Sequence, residues 1–285
     1  MNDYNAQLSQ LIKSALEEDI GDGDHSTLSC IPAHAKGKAV LKVKENGIIA
    51  GVKIAEFIFK YLEANADVRM MLNDGNVMKP GDIALEVYAK VHTILNAERL
   101  VLNSMQRMSG IATLTKSYVE ALKGYKTKIL DTRKTTPNFR LLEKEAVKIG
   151  GGSNHRMGLY DMIMLKDNHI DYAGGIKNAI NKAADYINSY KPGLKIEVET
   201  RNLEEVKQAV STGRIHRIML DNFSPENILE ALKIIDGKYE TEASGGINLT
   251  NIKEYAETGV DYISAGALIH QARSVDLSLK AEISS

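Results

Sequence analysis

Residues 195–221 read KIEVETRNLEEVKQAVSTGRIHRIMLD. Two short apolar runs in it, Lys195-Ile196-Glu197-Val198-Glu199 and Arg217-Ile218-Met219-Leu220-Asp221, each stop at a carboxylate and are separated by a helical stretch. Strand, helix, strand is the unit of a parallel sheet, because parallel neighbours need a crossover. The unit recurs on both sides. Other apolar runs end at Asp131, Lys166, Ser244 and Gly266, and the last four run-ends, Glu199, Asp221, Ser244 and Gly266, follow one another roughly every 22 residues. Such alternation builds a closed β/α barrel or an open doubly wound sheet. The barrel is preferred, since the first strand, Lys128-Ile129-Leu130, lacks the glycine fingerprint of a dinucleotide fold.

Upstream the pattern changes. Tyr4, Leu8, Leu11, Ile12, Ala15 and Leu16 have helical spacing, and the run Asp19-Ile20-Gly21-Asp22-Gly23-Asp24 stops that helix. Strand-like stretches at 38–44 and 83–90 flank a helix at 52–65, with turn signals at Asn73-Asp74-Gly75 and Lys79-Pro80-Gly81-Asp82. These make a small sheet-plus-helix domain. A long helical stretch, 93–124, offers Leu95, Leu100, Leu102, Met105, Met108, Ile111 and Leu114 for packing and is read as a bridge between two domains. The division expected is 1–113 for the first domain with its leading helix and 114–285 for the barrel, the last residues being free to pack back on the first.

Composition excludes several classes. With 285 residues and 44% hydrophobic side chains the chain buries a full core. Its 36 Lys and Arg nearly balance 37 Asp and Glu, so no overall field draws nucleic acid or an anionic membrane. Cys30 is the only cysteine and no Cys/His cluster has zinc-ligand spacing, which points to a reducing compartment. The first residues lack the unbroken apolar core of a signal peptide, and no stretch approaches the ~18 apolar residues of a membrane span. A cytoplasmic enzyme is expected.

In a β/α barrel the chemistry sits at the C-terminal ends of the strands. Those ends carry Asp131-Thr132-Arg133-Lys134, Lys166-Asp167-Asn168-His169, Glu199, Asp221-Asn222, Ser244-Gly245-Gly246 and Ala265-Gly266, and a glycine-rich loop at 150–153 adds His155 and Arg156. Taken singly, Arg133, Lys134, Arg156 and Lys166 could pair with neighbouring carboxylates on a solvated rim, and Glu199 and Asp221 could cap helices. Convergence on one mouth favours function. Clustered guanidinium groups bind carboxylates through paired N–H donors, and several of them suit a dicarboxylate. Glu199 and Asp221 offer hard oxygens to a divalent ion such as magnesium or to sugar hydroxyls. The glycines after the last two strands offer backbone N–H groups to a phosphate.

Three strings sharpen this: Asp131-Thr132-Arg133-Lys134-Thr135-Thr136-Pro137, Gly151-Gly152-Ser153-Asn154-His155-Arg156-Met157-Gly158-Leu159 and Leu165-Lys166-Asp167-Asn168-His169. Together they resemble the central signature of the quinolinate phosphoribosyltransferases. The likeness extends to Glu18-Asp19-Ile20-Gly21, Gly23-Asp24, Ala97-Glu98-Arg99, Ser109-Gly110-Ile111-Ala112-Thr113, Glu197-Val198-Glu199, Met219-Leu220-Asp221-Asn222 and Ala243-Ser244-Gly245-Gly246-Ile247, and so to nearly the whole chain. The resemblance implies an N-terminal α/β sandwich, a C-terminal incomplete, TIM-like parallel α/β barrel, and a homodimer whose sites each borrow Arg99 from the neighbouring subunit. It implies that Arg133, His155, Arg156 and Lys166 surround quinolinate, that Lys134 meets the pyrophosphate of phosphoribosyl pyrophosphate, and that Glu199 and Asp221 serve the ribose hydroxyls and Mg2+. Ser244, Gly245, Gly246, Ala265 and Gly266 would hold the 5′-phosphate, with His270 a further candidate nearby. The implied reaction is phosphoribosyl transfer to quinolinate with loss of carbon dioxide, in NAD biosynthesis. The rival readings are a nicotinate-using or molybdate-transport-associated relative of the same fold, and a non-catalytic sugar-phosphate-binding protein. Paired Glu199 and Asp221 argue against the last.

Overall fold

In the computed structural model, which describes residues 4–282, the chain opens with α1 (Tyr4–Ile20), α2 (His25–Cys30), β1 (Lys36–Val43), β2 (Gly47–Ile48), α3 (Val52–Leu62), β3 (Asp67–Met70), β4 (Val77–Met78), β5 (Ile83–Lys90) and the long α4 (Val91–Ala121). It continues through β6 (Lys128–Leu130), α5 (Arg140–Ile149), β7 (Ile163–Leu165), α6 (Asp167–Ala173), α7 (Ile176–Tyr190), β8 (Ile196–Thr200), α8 (Leu203–Thr212), β9 (Arg217–Asp221) and α9 (Pro225–Ile235). Last come β10 (Glu240–Ser244), α10 (Ile252–Glu257), β11 (Tyr262–Ser264), α11 (Ala267–His270) and β12 (Leu277–Glu282). No helix among the described residues is long and apolar enough to cross a membrane.

The chain forms two compact units. The first takes Met1–Lys116, Thr135–Gly151 and Leu268–Ser285. Its sheet is antiparallel, in the order β12-β1-β5-β3, with the C-terminal strand paired against β1 from Lys38 opposite Glu282 to Val43 opposite Leu277. Lys38 ties three strands by reaching Glu86 at 3.0 Å and Glu282 at 2.9 Å. The leading helix buries Leu8, Ile12 and Leu16, one per turn, as its spacing predicts. In α4 the buried face is Ile94, Ala97, Val101, Met105, Met108 and Ala112, while Leu95, expected to pack, is 38% exposed because it lies off that stripe. Arg107 explains why α5 and the segment after α11 belong here. Its guanidinium donates to Glu143 at 2.9 Å and to the carbonyls of Ala272 and Ile269 at 2.7 and 2.8 Å. Three acceptors on two distant segments thus converge on one planar fork.

The second unit takes Ser117–Lys134 and Gly152–Ala267. Its six strands are parallel in the order β6-β11-β10-β9-β8-β7, an incomplete barrel whose edges are β6 and β7. Consecutive in the chain, these two strands are farthest apart in the sheet. Beyond β6 the glycine-rich loop continues the ladder briefly: Ser153 N donates to Ile129 O at 3.0 Å and Asp131 N to Ser153 O at 3.1 Å. The outer strand face is apolar, with Ile196, Val198, Ile218 and Leu220 all buried under helices that contribute Ile180, Val206, Ala209, Ile228 and Ala231. Sharp helix starts return the chain promptly from the mouth: the Asn202 side chain accepts from Glu205 N to cap α8, and Ser224 accepts from Asn227 N to cap α9, with Pro225 in its first turn.

The ends of β9 and β10 are locked together. Asn222 adopts left-handed φ 57°, and its N–H donates to Ser244 O at 2.8 Å. Gly245, at φ +98°, lies so close to Asn222 that a Cβ would strike its amide group and backbone, whereas Gly246, at φ +64°, faces open space. Both positions strain any L side chain, and only the first also clashes. Urea unfolding should therefore show Gly245→Ala losing about 2–3 kcal/mol and Gly246→Ala about 1 kcal/mol. Equal losses would contradict the contact.

Candidate active site

Side chains two apart on a strand share a face. Inside the second unit β8 therefore presents Glu197 and Glu199, β9 presents Arg217, Met219 and Asp221, and β10 presents Glu240, Glu242 and Ser244. Register sets Glu197 beside Arg217, and Ser244 beside Asp221. Two polar layers result, one at the strand ends and one beneath it.

At the strand ends, Lys166 Nζ donates to Glu199 Oε2 at 2.6 Å; the lysine is half-exposed and the glutamate almost buried. Burial, and then the nearby Glu199 charge, hold the Asp221 carboxyl above the usual carboxylate range. Asn222 Nδ2 donates to Asp221 Oδ2 at 2.7 Å, and Ser244 adds a second hydrogen bond. Two carboxylates facing a single lysine leave a surplus of negative charge that a divalent cation or donor hydroxyls would relieve, and an all-oxygen donor set suits a hard ion. An open cleft lined by Arg201, Asn202, Asn222, Phe223 and Asn227 lies beside these ends.

The layer beneath is buried. Burial raises Glu197 to about 7, and burial with the Glu197 charge raises Glu242 to about 7. Arg217 supplies the counter-charge: Nη1 is 2.9 Å from Glu242 Oε2 and 4.0 Å from Glu197 Oε2, Nη2 is 2.9 Å from Glu240 Oε2, and the guanidinium lies 4.2 Å over the Tyr262 ring. His155 completes the layer, its Nε2 being 2.9 Å from Glu197 Oε2 and 3.5 Å from Glu242 Oε2. Its Nδ1 accepts the Arg156 backbone N–H at 2.6 Å, so the ring proton belongs on Nε2, facing the carboxylates. The ligand atoms of His155, Glu197 and Glu242 lie within 4.8 Å of one another, a cluster that could hold a divalent cation.

The cations of the mouth stand next to these layers. Burial, followed by repulsion from Arg133, holds the Arg156 guanidinium below its ordinary value. Arg133 Nε is buried with no hydrogen-bond partner among the described residues. Two neighbouring guanidinium groups, one with an idle donor, make a seat for an anion with paired oxygens. The loop between them is fixed at its base, since fully buried Asp131 accepts from His155 N at 2.8 Å and Asp161 accepts from Met157 N and Gly158 N at 2.7 and 2.8 Å.

Of the residues singled out in the sequence, the barrel brings together Arg133 with Arg156, and Lys166 with Glu199, Asp221 and Ser244. His155, expected to touch an anion, has its Nε2 2.9 Å from Glu197 Oε2 in the carboxylate layer, with its side chain 6% exposed. Lys134 is exposed, Ala265 is buried with its N–H on Leu130 O, Gly266 leads into α11, and His270 ends that helix, exposed. Arg99 belongs to the first unit, on α4, exposed and 3.2 Å from Glu98. The strand-end rule missed Glu197, Glu242 and Arg217. Strand alternation could have found them, because they stand two or four residues before Glu199, Ser244 and Asp221 on the same face.

Comparison with known proteins agrees with this geometry. Residues 24–109 match the family description "Quinolinate phosphoribosyl transferase, N-terminal domain", and residues 111–280 match the C-terminal domain of the same family. A nicotinate-nucleotide pyrophosphorylase [carboxylating], chloroplastic, of Oryza sativa subsp. japonica is 44% identical over 290 residues, covering 96% of this chain and 78% of its own. A probable nicotinate-nucleotide pyrophosphorylase [carboxylating] of Bacillus subtilis (strain 168) is 40% identical, covering 98% and 94%. The crystal structure of NadC from Streptococcus pyogenes superposes with a TM-score of 0.89 at 40% identity, covering 96% and 95%. With both domains matched in order and relatives aligned along nearly its whole length, this chain belongs to the quinolinate phosphoribosyltransferase family.

Proposed function

We propose that this chain transfers the phosphoribosyl group of phosphoribosyl pyrophosphate to quinolinate, with decarboxylation, giving nicotinate mononucleotide, pyrophosphate and carbon dioxide for NAD biosynthesis. Family membership supports the reaction, and the observation that carries the substrate is the Arg133–Arg156 pair with its unmatched buried donor. In this reading the pyridine nitrogen forms a bond to C1 of the ribose as the bond from C1 to pyrophosphate breaks. The electron pair of the bond to the 2-carboxylate then stays on the ring carbon, stabilised by the adjacent cationic nitrogen, as carbon dioxide leaves, and that pair takes up a proton.

Arg133, His155 and Arg156, with Lys166 and a partner's Arg99, bind and orient the two carboxylates, and His155 also holds the Arg156 backbone. Lys134 meets the pyrophosphate. Glu199 and Asp221 orient the ribose hydroxyls, while Ser244, Gly245, Gly246, Ala265 and Gly266 line the seat of the 5′-phosphate, the glycines offering it backbone N–H donors and Ala265 keeping its own N–H on Leu130 O. Glu199 and Asp221 would also hold Mg2+, which when bound supplies positive charge to the departing pyrophosphate. A homodimer with shared sites, a domain boundary between 113 and 114, and a cytoplasmic setting suited to the lone, exposed Cys30 complete the proposal.

Two experiments test it. Pyrophosphate release should be rapid with quinolinate and at least about 100-fold slower with nicotinate, since a monocarboxylate leaves part of the cation cluster unpaired. Comparable rates would favour the nicotinate-using reading. Arg99→Ala and Lys134→Ala should each abolish turnover alone, and mixing them should restore part of it by assembling one intact site per dimer. No recovery after confirmed subunit exchange would count against a shared site.

A further inference from the structure

In the layer beneath the mouth, Glu197, Glu242 and Arg217 touch no substrate in the reading above, yet they set two fully buried glutamates and an arginine beside His155. Burying this much charge is costly, and replacing it with apolar packing is the simpler way to fill a barrel. The contacts have a direction. Arg217 lies against Glu242, Glu240 and Glu197; Glu197 faces His155 Nε2 at 2.9 Å; His155 Nδ1 receives the Arg156 N–H at 2.6 Å; and the His155 N–H is held by Asp131 at 2.8 Å. The histidine ring thus stands in close electrostatic contact with Glu197, its backbone is held by Asp131, and its remaining ring nitrogen sets the backbone of the next residue. Arg156 also feels the Glu197 charge directly.

We propose that Glu197, braced by Arg217 and Glu242, is a positioning residue for the dicarboxylate: it fixes the His155 ring and through it the Arg156 guanidinium beside Arg133. Glu197 acts through His155 and touches no substrate itself. The inference rests on the assignment of Arg133 and Arg156 to the dicarboxylate. It predicts selectivity, because the 5′-phosphate and ribose groups are bound by other residues of the barrel and do not depend on the Arg156 backbone.

The test uses the full-length enzyme and phthalate, a dicarboxylate that cannot react, titrated by calorimetry, together with KM values for both substrates. Glu197→Ala should weaken phthalate and raise the quinolinate KM about tenfold or more, with the phosphoribosyl pyrophosphate KM within about twofold. Glu197→Gln, which keeps an acceptor toward His155 Nε2, should recover most of that loss. Glu197→Asp, which keeps the charge but withdraws it by one methylene, should behave as the alanine variant does and serves if that variant fails to fold. Parallel rises in both KM values, or a wild-type Asp variant, would overturn the proposal. Arg156→Lys separates the two levels: if it leaves phthalate binding unchanged, the assignment of the dicarboxylate site is wrong; if it weakens phthalate while Glu197→Ala does not, only the positioning role is.

Discussion

A salt-bridged layer of charge inside the barrel is the constraint on which the rest depends. Glu197 and Glu242 are fully buried, and burial holds both carboxyls well above their ordinary range. They are tolerable only because Arg217 and His155 lie against them. Removing one member strands the others, so strands β8, β9 and β10 must keep the register that brings Glu197, Arg217 and Glu242 together. That same register delivers Glu199 and Ser244 one step above Glu197 and Glu242, and Asp221 two steps above Arg217, at the mouth. The strand ladders thus place both layers, and the buried one bears on the mouth through His155.

The incomplete closure of the sheet also has a consequence for the site. Because β6 and β7 are the sheet edges and do not pair with each other, the loop from Gly152 to Arg156 can run alongside β6 and place His155 over the interior carboxylates. A closed ring of strands would leave no room for a loop there. Asp131, buried at the end of β6, then anchors the His155 backbone and joins strand to loop.

Much of this was legible in the sequence, for physical reasons that also mark the boundary of what was not. Apolar runs ending at Asp131, Lys166, Glu199, Asp221 and Ser244 gave the parallel strands, because a strand buried on its helix-facing side has to show such a run. The long helix was read as 93–124 and is observed at Val91–Ala121. α2 went unread: its six residues are too few for a period to register, although Asp24 caps it by accepting from Thr27 N. α5 lies between two barrel strands in the chain but belongs to the other unit, which only the Arg107–Glu143 contact reveals. The placement of the His155 ring was hidden for a similar reason. Its neighbour Arg156 and the glycines before it suggest an anion clamp, whereas its ring orientation is decided by carboxylates more than 40 residues further along the chain.

A crystal structure with quinolinate bound tests the central claim most directly. The account predicts a quinolinate carboxylate within hydrogen-bonding distance of both Arg133 and Arg156, the His155 ring still against Glu197, and Arg217 unmoved. Quinolinate seated away from the arginine pair, or a His155 ring no longer against Glu197, would contradict the account.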